Sequence, residues 1–409
     1  MATGILHHVS LGYQLLWGPQ RQVTGVQLRI DAHEDSAFDP AHLLAALSDL
    51  WGVQSPPLLL STTSDTLLAA LLDGMPPTLA RLEVPDALLQ NPVMTQRVMR
   101  GQQRGLQLLW RGEPGTHFKA AYTGCFGQSI LGLSAEEALM CLRISLRSHN
   151  GSPPRPGASS PVRPGQIYEG VASRVLAEHC LDEQRASALL GWPMEDVLHG
   201  YRQRRIQPGQ RAIRRLVKAI DADTSMDEIE QWLGEEPMLA YRFLRYANSA
   251  GLGLNSEVTA LRQGLMVLGL SRVKSWLLEQ IPHAASDLNL QPVRTAMVLR
   301  AQFMAELLDA GEGEALKREL YLCGLLSQID LLLGEPMPGA LHAIPLPERV
   351  TSAIVGQSGP YWPYLEIATA LETPHTASTR ALCATHGFDE EDVNRALLRA
   401  LAALRSQPD

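Results

Sequence analysis

Four groups of polar residues in this 409-residue chain have the types and spacing to do chemistry. Arg81, Arg104 and Arg111 recur through the first half, and a guanidinium meets a phosphate through two parallel N–H bonds, so these three are candidate ligands for a phosphorylated small molecule. Glu83, Lys119 and Glu178 are groups that could bind metal or move protons, and are equally suited to ion pairs, caps or exposed surface. In GLLSQIDLLLGEPM at 324–337, Ser327 and Gln328 interrupt an apolar run and Asp330 follows. A lone carboxylate at a helix end is a cap or a solvated group unless further ligands join it. Finally, YRFLRYANSAGLGLNSEVTALRQGLMVLGLSRVKSW at 241–276 pairs an Asn-Ser-Ala helix end with a second helix that stops at Leu-Gly. There Asn248 can bond free carbonyls, Ser249 allows close packing, and Gly251, Gly253 and Gly269 allow the turns.

Other catalytic signatures are missing. The chain has no GxxxxGK[ST] phosphate loop, no GxSxG elbow and no HExxH metal helix. His7 and His8 are adjacent and diverge on any regular element, so they cannot chelate as an i, i+4 pair would. Trp232, Trp276, Phe303 and Met304 read as core, and Trp362 as a helix-packing anchor.

The elements that must position these residues follow from periodicity. Residues 1–30 read as strand, turn, strand, and helices at 40–51, 64–74 and 91–105 then alternate with strands at 57–62, 79–84 and 106–112. Parallel neighbours need a crossover helix, so this spacing predicts a parallel α/β barrel or open sheet. HNGSPPRPGASSPVRPGQ at 149–166 is a Pro/Gly/Ser-rich loop without apolar period. From 209 onward only helical patterns occur: 209–221, 226–234, 237–249, 257–268, 271–280, 292–309, 313–332 and shorter ones to 405.

With net charge −8, no global field draws the chain to nucleic acid or to an anionic membrane. The basic run at 202–218 reads as a solvated linker and the polar face of a helix. No apolar stretch approaches the roughly 20 residues needed to span a bilayer, and no secretory signal is expected in MATGILHHVSLGYQ. Five scattered cysteines without CxxC spacing predict reduced thiols in a cytoplasmic protein.

The 241–276 run resembles the HDOD domain, a helical relative of the HD and HD-GYP phosphohydrolases that lacks their metal ligands. GYQLLW, LARLEV and the stretch 175–204 resemble a degenerate EAL domain, and the order of the two is similar to the EAL-HDOD signalling proteins of bacteria. The resemblance implies a degenerate EAL-type (β/α) barrel over 1–206, with 149–166 as an insertion, followed by an all-α HDOD domain over 207–409.

Active EAL domains hydrolyse cyclic di-GMP with two metals held by carboxylates at strand ends. On this sequence the resemblance puts Gln14 at the signature glutamate and a residue near Leu60 at the usual Asn ligand. Arg111 and Gly112 stand at the paired aspartates, and Ser327 and Gln328 at the His-Asp pair of an HD site. Glu83, Lys119 and Glu178 match remaining positions, and His199-Gly200-Tyr201 matches the Gln-Gly-Tyr element that ends the barrel. An amide or a hydroxyl keeps shape but not charge, so the implied protein binds no metal, uses no cofactor and is not a phosphodiesterase. The expected role is a signalling scaffold that contacts other signalling proteins, with metal-independent cyclic di-GMP binding through Arg81, Arg104 and Arg111 as the alternative and residual cyclic-dinucleotide hydrolysis as a third reading.

Overall fold

The computed structural model describes residues 4–33, 39–113, 115–116, 124–149, 159–202, 205–252, 257–308, 313–373 and 376–404. Lys119, Gly253 and most of the loop expected at 149–166 lie outside them. Two compact units divide the chain: residues 1–196 with 370–409, and residues 197–369.

In the first unit eight strands close into a barrel in sequence order. They are β1 (Val9–Trp17), β2 (Val23–Ala32), β3 (Leu58–Ser61), β4 (Arg81–Pro85), β5 (Leu108–Arg111), β6 (Gln128–Gly132), β7 (Ile167–Glu169) and β8 (Ala188–Leu190). Neighbours from β2 to β8 pair in parallel, whereas β1 runs antiparallel to both β2 and β8. Its hairpin with β2 is the strand, turn, strand read from residues 1–30. Helices α1 (Pro40–Leu50), α2 (Asp65–Gly74), α3 (Pro92–Gln103), α4 (Ala135–His149), α5 (Arg174–Glu178) and α6 (Met194–His199) accompany the strands. Asp39, Ser64 and Asn91 each accept a first-turn N–H and start α1, α2 and α3. Paired residues of parallel strands share a face, and the buried cluster Leu16, Leu59, Leu109, Ile130, Ile167, Ala188 and Leu190 marks the inward one.

The second unit is helical: α7 (Gln210–Asp221), α8 (Met226–Gly234), α9 (Pro237–Ala247), α10 (Leu261–Leu268), α11 (Leu270–Gln280), α12 (Gln291–Leu307), α13 (Glu314–Leu326), α14 (Ile329–Leu333), α15 (Met337–His342), α16 (Glu348–Gly356) and α17 (Trp362–Leu371). The single helix expected at 313–332 breaks at Ser327 and Gln328 into α13 and α14. At the crossing of α12 and α13, a Cβ on Gly324 would stand 2.6 Å from Ala301 Cα, so only glycine permits this approach. The entrance to the unit is pinned by a buried ion pair. Arg294 Nε lies 2.8 Å from Glu236 Oε1, with both side chains at most 5% exposed. Glu236 also accepts the N–H groups of Gly209 and Leu239 at 2.9 and 2.8 Å.

The division differs from the 206/207 boundary expected from sequence, chiefly because α18 (Thr376–His386) and α19 (Glu390–Ala402) pack on the barrel. A hairpin joins β1 to β2, so no crossover helix covers β1, and the two C-terminal helices take that place. Asn394, 3% exposed, donates to the carbonyls of Leu6 and Val9 at 2.9 and 2.7 Å and accepts from Leu11 N–H at 3.3 Å. Ser10 Oγ donates to Glu390 at 3.0 Å.

A chain cut to 197–369 is therefore expected to melt cooperatively with helical circular dichroism, whereas one cut to 197–409 exposes Val393, Leu397 and Leu401 and self-associates. Sedimentation of the two fragments checks this. Equal monomeric behaviour of both would contradict the packing of α19 on the barrel.

Candidate functional site

Four polar residues inside the barrel, Gln27, Glu83, Arg111 and Glu169, meet toward the C-terminal ends of the strands. Register places Gln27 on β2 opposite Gln14 on β1, and Arg29, two residues on, level with Ser61 of β3. Glu83 on β4 is 3% exposed and Gln27 1%. Gln27 Nε2 donates to Glu83 Oε2 at 2.6 Å, and Arg111 Nη1 on β5 donates to Glu83 Oε1 at 2.5 Å. The other arm of Arg111 donates to Glu169 at the end of β7.

One guanidinium thus bridges two carboxylates across the barrel interior. Burial disfavours the Arg111 charge, yet Glu83 and Glu169 overcome this and hold its pKa above the ordinary value. Glu169 moves the other way for a carboxyl in an ion pair: burial pushes it above the usual range, Arg111 pulls it down, and Glu83 pushes it up. Arg111 keeps its proton throughout, and the opposing influences meet on Glu169.

This residue set does not fit a pair of divalent metals. Glu83 has one oxygen on Arg111 and the other on Gln27, and a fixed positive charge stands where a cation would enter. Among the described residues no group of three or more His, Cys, Asp or Glu side chains is placed to hold a metal ion.

Several sequence expectations change in detail. The amide that reaches Glu83 is that of Gln27, and Gln14 lies opposite Gln27 on β1. Leu60 is fully buried and pairs with Leu28 and Leu82 on the outward face, so the inward residue at this level is Ser61. Gly112 continues past Arg111 with Trp110 and Thr116 against its α-carbon, where any Cβ would stand 2.3 Å from the indole. Gly112 is there for space.

Arg81, Arg104 and Arg111 are not brought together. Arg81 lies at the opposite end of the inward face, 3.3 Å from Gln128 Oε1. Arg104 caps the end of α2 through the carbonyls of Leu72 and Met75 at 3.1 and 2.9 Å. Glu178 pairs with Arg174 at 2.9 Å along α5. Sequence reasoning missed Gln27, Arg29 and Glu169, and the available signal was the VQLR and YEG strand ends.

In the helical unit Ser327 Oγ accepts from the buried Arg300 at 2.7 Å and donates to Gly324 O at 2.8 Å, while Gln328 opens α14 without a side-chain cap. Burial pushes the Asp330 carboxyl up, against the pull of the Leu331 N–H. Asn248 ends α9: Nδ2 donates to Leu244 O and Val258 O, and Oδ1 accepts from Val258 N, all at 2.8 Å. Ser249 and Gly251 lie in the exposed turn that follows, and Gly269, at φ 71°, joins α10 to α11.

Residues 209–343 match the HDOD domain family. The chain is 22% identical over 247 residues to the cyclic di-GMP phosphodiesterase CdgJ of Vibrio cholerae, covering 58% of this chain and 56% of that protein. It is 22% identical over 181 residues to YuxH of Bacillus subtilis, with 43% of each covered. The chain thus spans about half the length of the curated relatives it matches. Among solved structures the response regulator MmoQ of Methylococcus capsulatus aligns with a TM-score of 0.38 and 16% identity, over 47% of this chain and 98% of that one.

Arg111→Ala leaves two facing carboxylates, one of them buried, and is expected to cost about 3 kcal/mol at neutral pH. A carboxyl whose pKa is raised on folding penalises the folded state above that pKa and not below it, so the deficit should shrink as pH falls toward the Glu169 range. Urea titrations at several pH values check both statements. Asn248→Ala removes three hydrogen bonds around a buried Val258 backbone and should cost about 1–3 kcal/mol by the same measurement, while the exposed Ser249→Ala changes little.

Proposed function

We propose that this chain, an EAL-type barrel joined to an HDOD domain, is a regulator in bacterial cyclic di-GMP signalling that acts through contacts with other signalling proteins and not through phosphodiester hydrolysis. One observation carries the reading: the Arg111 guanidinium binds the two inward carboxylates Glu83 and Glu169, with Gln27 completing the shell of Glu83. Two-metal hydrolysis needs those oxygens free for cations that activate water and steady the leaving oxygen. The name of the Vibrio cholerae relative supports the cyclic di-GMP setting. In the helical unit, Ser327 held by Arg300 at the break between α13 and α14 supports the same conclusion, since neither Ser327 nor Gln328 supplies an anionic ligand.

A second reading has its own observation. Arg29 shares the inward face with Gln27, and its Nε and Nη2 are buried without a hydrogen-bond partner among the described residues. A guanidinium left so is costly, and a bound phosphate would satisfy it. On this reading the barrel is a metal-independent cyclic di-GMP sensor. The arginine that would act is Arg29, with Arg111 engaged elsewhere.

Purified full-length protein is expected to show no turnover of cyclic di-GMP with Mg²⁺ or Mn²⁺, and Glu178→Gln should leave partner binding unchanged. Calorimetry separates the two readings: binding that survives chelation and is lost in Arg29→Ala supports the sensor, and no binding supports the scaffold. Turnover by wild type that Glu83→Gln abolishes would overturn both.

A further inference from the structure

Between α4, the segment 159–162 and the turn after α5 runs a polar chain that the barrel-mouth cluster does not use. Residues His179–Glu183 form a π-helical turn, closed by Gln184 N–H to His179 O at 2.9 Å, a wide geometry that recurs at functional sites. It sets Glu183 Oε2 2.6 Å from His179 Nδ1, and His179 Nε2 lies 3.0 Å from Ser160 Oγ. The other Glu183 oxygen accepts from Ser145 Oγ at 3.0 Å, which fixes the carboxylate. With Nδ1–H donated to Glu183, Nε2 is the basic nitrogen and faces the hydroxyl. This is nucleophile, base and orienting carboxylate in the order that activates a serine.

The surroundings are graded. His179 is fully buried, whereas Ser160 is partly exposed. Val162 N–H donates to Ser160 Oγ at 3.1 Å and so favours negative charge on that oxygen. A cavity of about 140 Å³ has Pro161, the residue next to Ser160, in its wall; Phe126, Leu131 and Tyr168 supply apolar surface and Gln128, Arg163 and Gln166 polar surface. That volume suits a short acyl chain and is well below the ~300 Å³ of sites for larger ligands. Cys141 Sγ is 3.9 Å from Ser160 Oγ, and burial pushes its thiol up, so it does not compete as a nucleophile.

We propose that Ser160 is an acyl-accepting nucleophile, with His179 as its base and Glu183 orienting the base, acting on small uncharged carboxylic esters. Ser160 Oγ bonds to the ester carbonyl carbon while its proton passes to His179 Nε2. The carbonyl carbon then releases the alkoxy group, which leaves as the alcohol with that proton. Water attacks the acyl-serine with His179 again taking a proton, which returns to Ser160 as the free acid departs. The site is independent of the regulatory reading above and shares no residue with the barrel mouth.

The test treats full-length protein with a fluorophosphonate probe, maps the adduct by peptide mass spectrometry, and follows p-nitrophenyl acetate hydrolysis in parallel. Expected are an adduct on Ser160, its absence in Ser160→Ala, and hydrolysis about 100-fold slower in that variant. Replacing the buried His179 could unfold this flank, so Glu183→Gln, checked by its melting temperature, carries the test of base activation and should slow labelling about tenfold or more. Folded wild-type protein without a Ser160 adduct overturns the proposal. So does Glu183→Gln of unchanged melting temperature that labels at the wild-type rate.

Discussion

The barrel depends on how a carboxylate survives inside it. Glu83 is almost wholly buried on β4, and an ionised carboxyl in such a place needs a counter-charge and hydrogen bonds to both oxygens. Arg111 and Gln27 supply these from the strands on either side of the interior, and the second arm of Arg111 extends the bond to Glu169 on β7. The cation of this site is therefore covalently part of the chain. A metal could enter only by displacing a guanidinium that cannot diffuse away. The polar end of the barrel is organised around a charge that stays.

The fold was largely legible in the sequence because strand and helix patterns alternate cleanly through the first half and only helical periods follow. Details of the site were less so, for a geometric reason. A one-residue change of phase moves a side chain to the other face of a strand, which is why Leu60 faces outward and its neighbour Ser61 inward. Gln14 and Gln27 sit opposite each other in one hairpin, and only closure of the barrel decides which amide reaches Glu83. Arg81, Arg104 and Arg111 look equivalent along the chain. The βα repeat sends the first to one end of the inward face, the third to the other, and the second to the outside, where it caps α2.

The C-terminal helices show the same limit at the level of domains. Amphipathic periodicity states that α19 must bury Val393, Leu397 and Leu401, but not against what. The missing information lies 380 residues away, in the hairpin that leaves β1 without a crossover helix. Asn394 then replaces that cover with three hydrogen bonds to the backbone around β1. The helical unit is in consequence an insertion in sequence between two parts of the barrel unit.

Inside that helical unit the charged groups are committed in a comparable way. Arg294 and Glu236 neutralise each other and hold the backbone at Gly209, and Arg300 holds Ser327 at the break between α13 and α14. Asn248 fastens the end of α9 to Val258 without carrying charge. Polar groups spent on fixing the backbone are not free to bind a cation or move a proton. What remains variable is the exposed surface, including the apolar side chains Met266 and Val267 of α10 and Leu278 of α11. A unit built so can change what it contacts without changing how it folds, because substitutions on those faces leave the buried pairs intact.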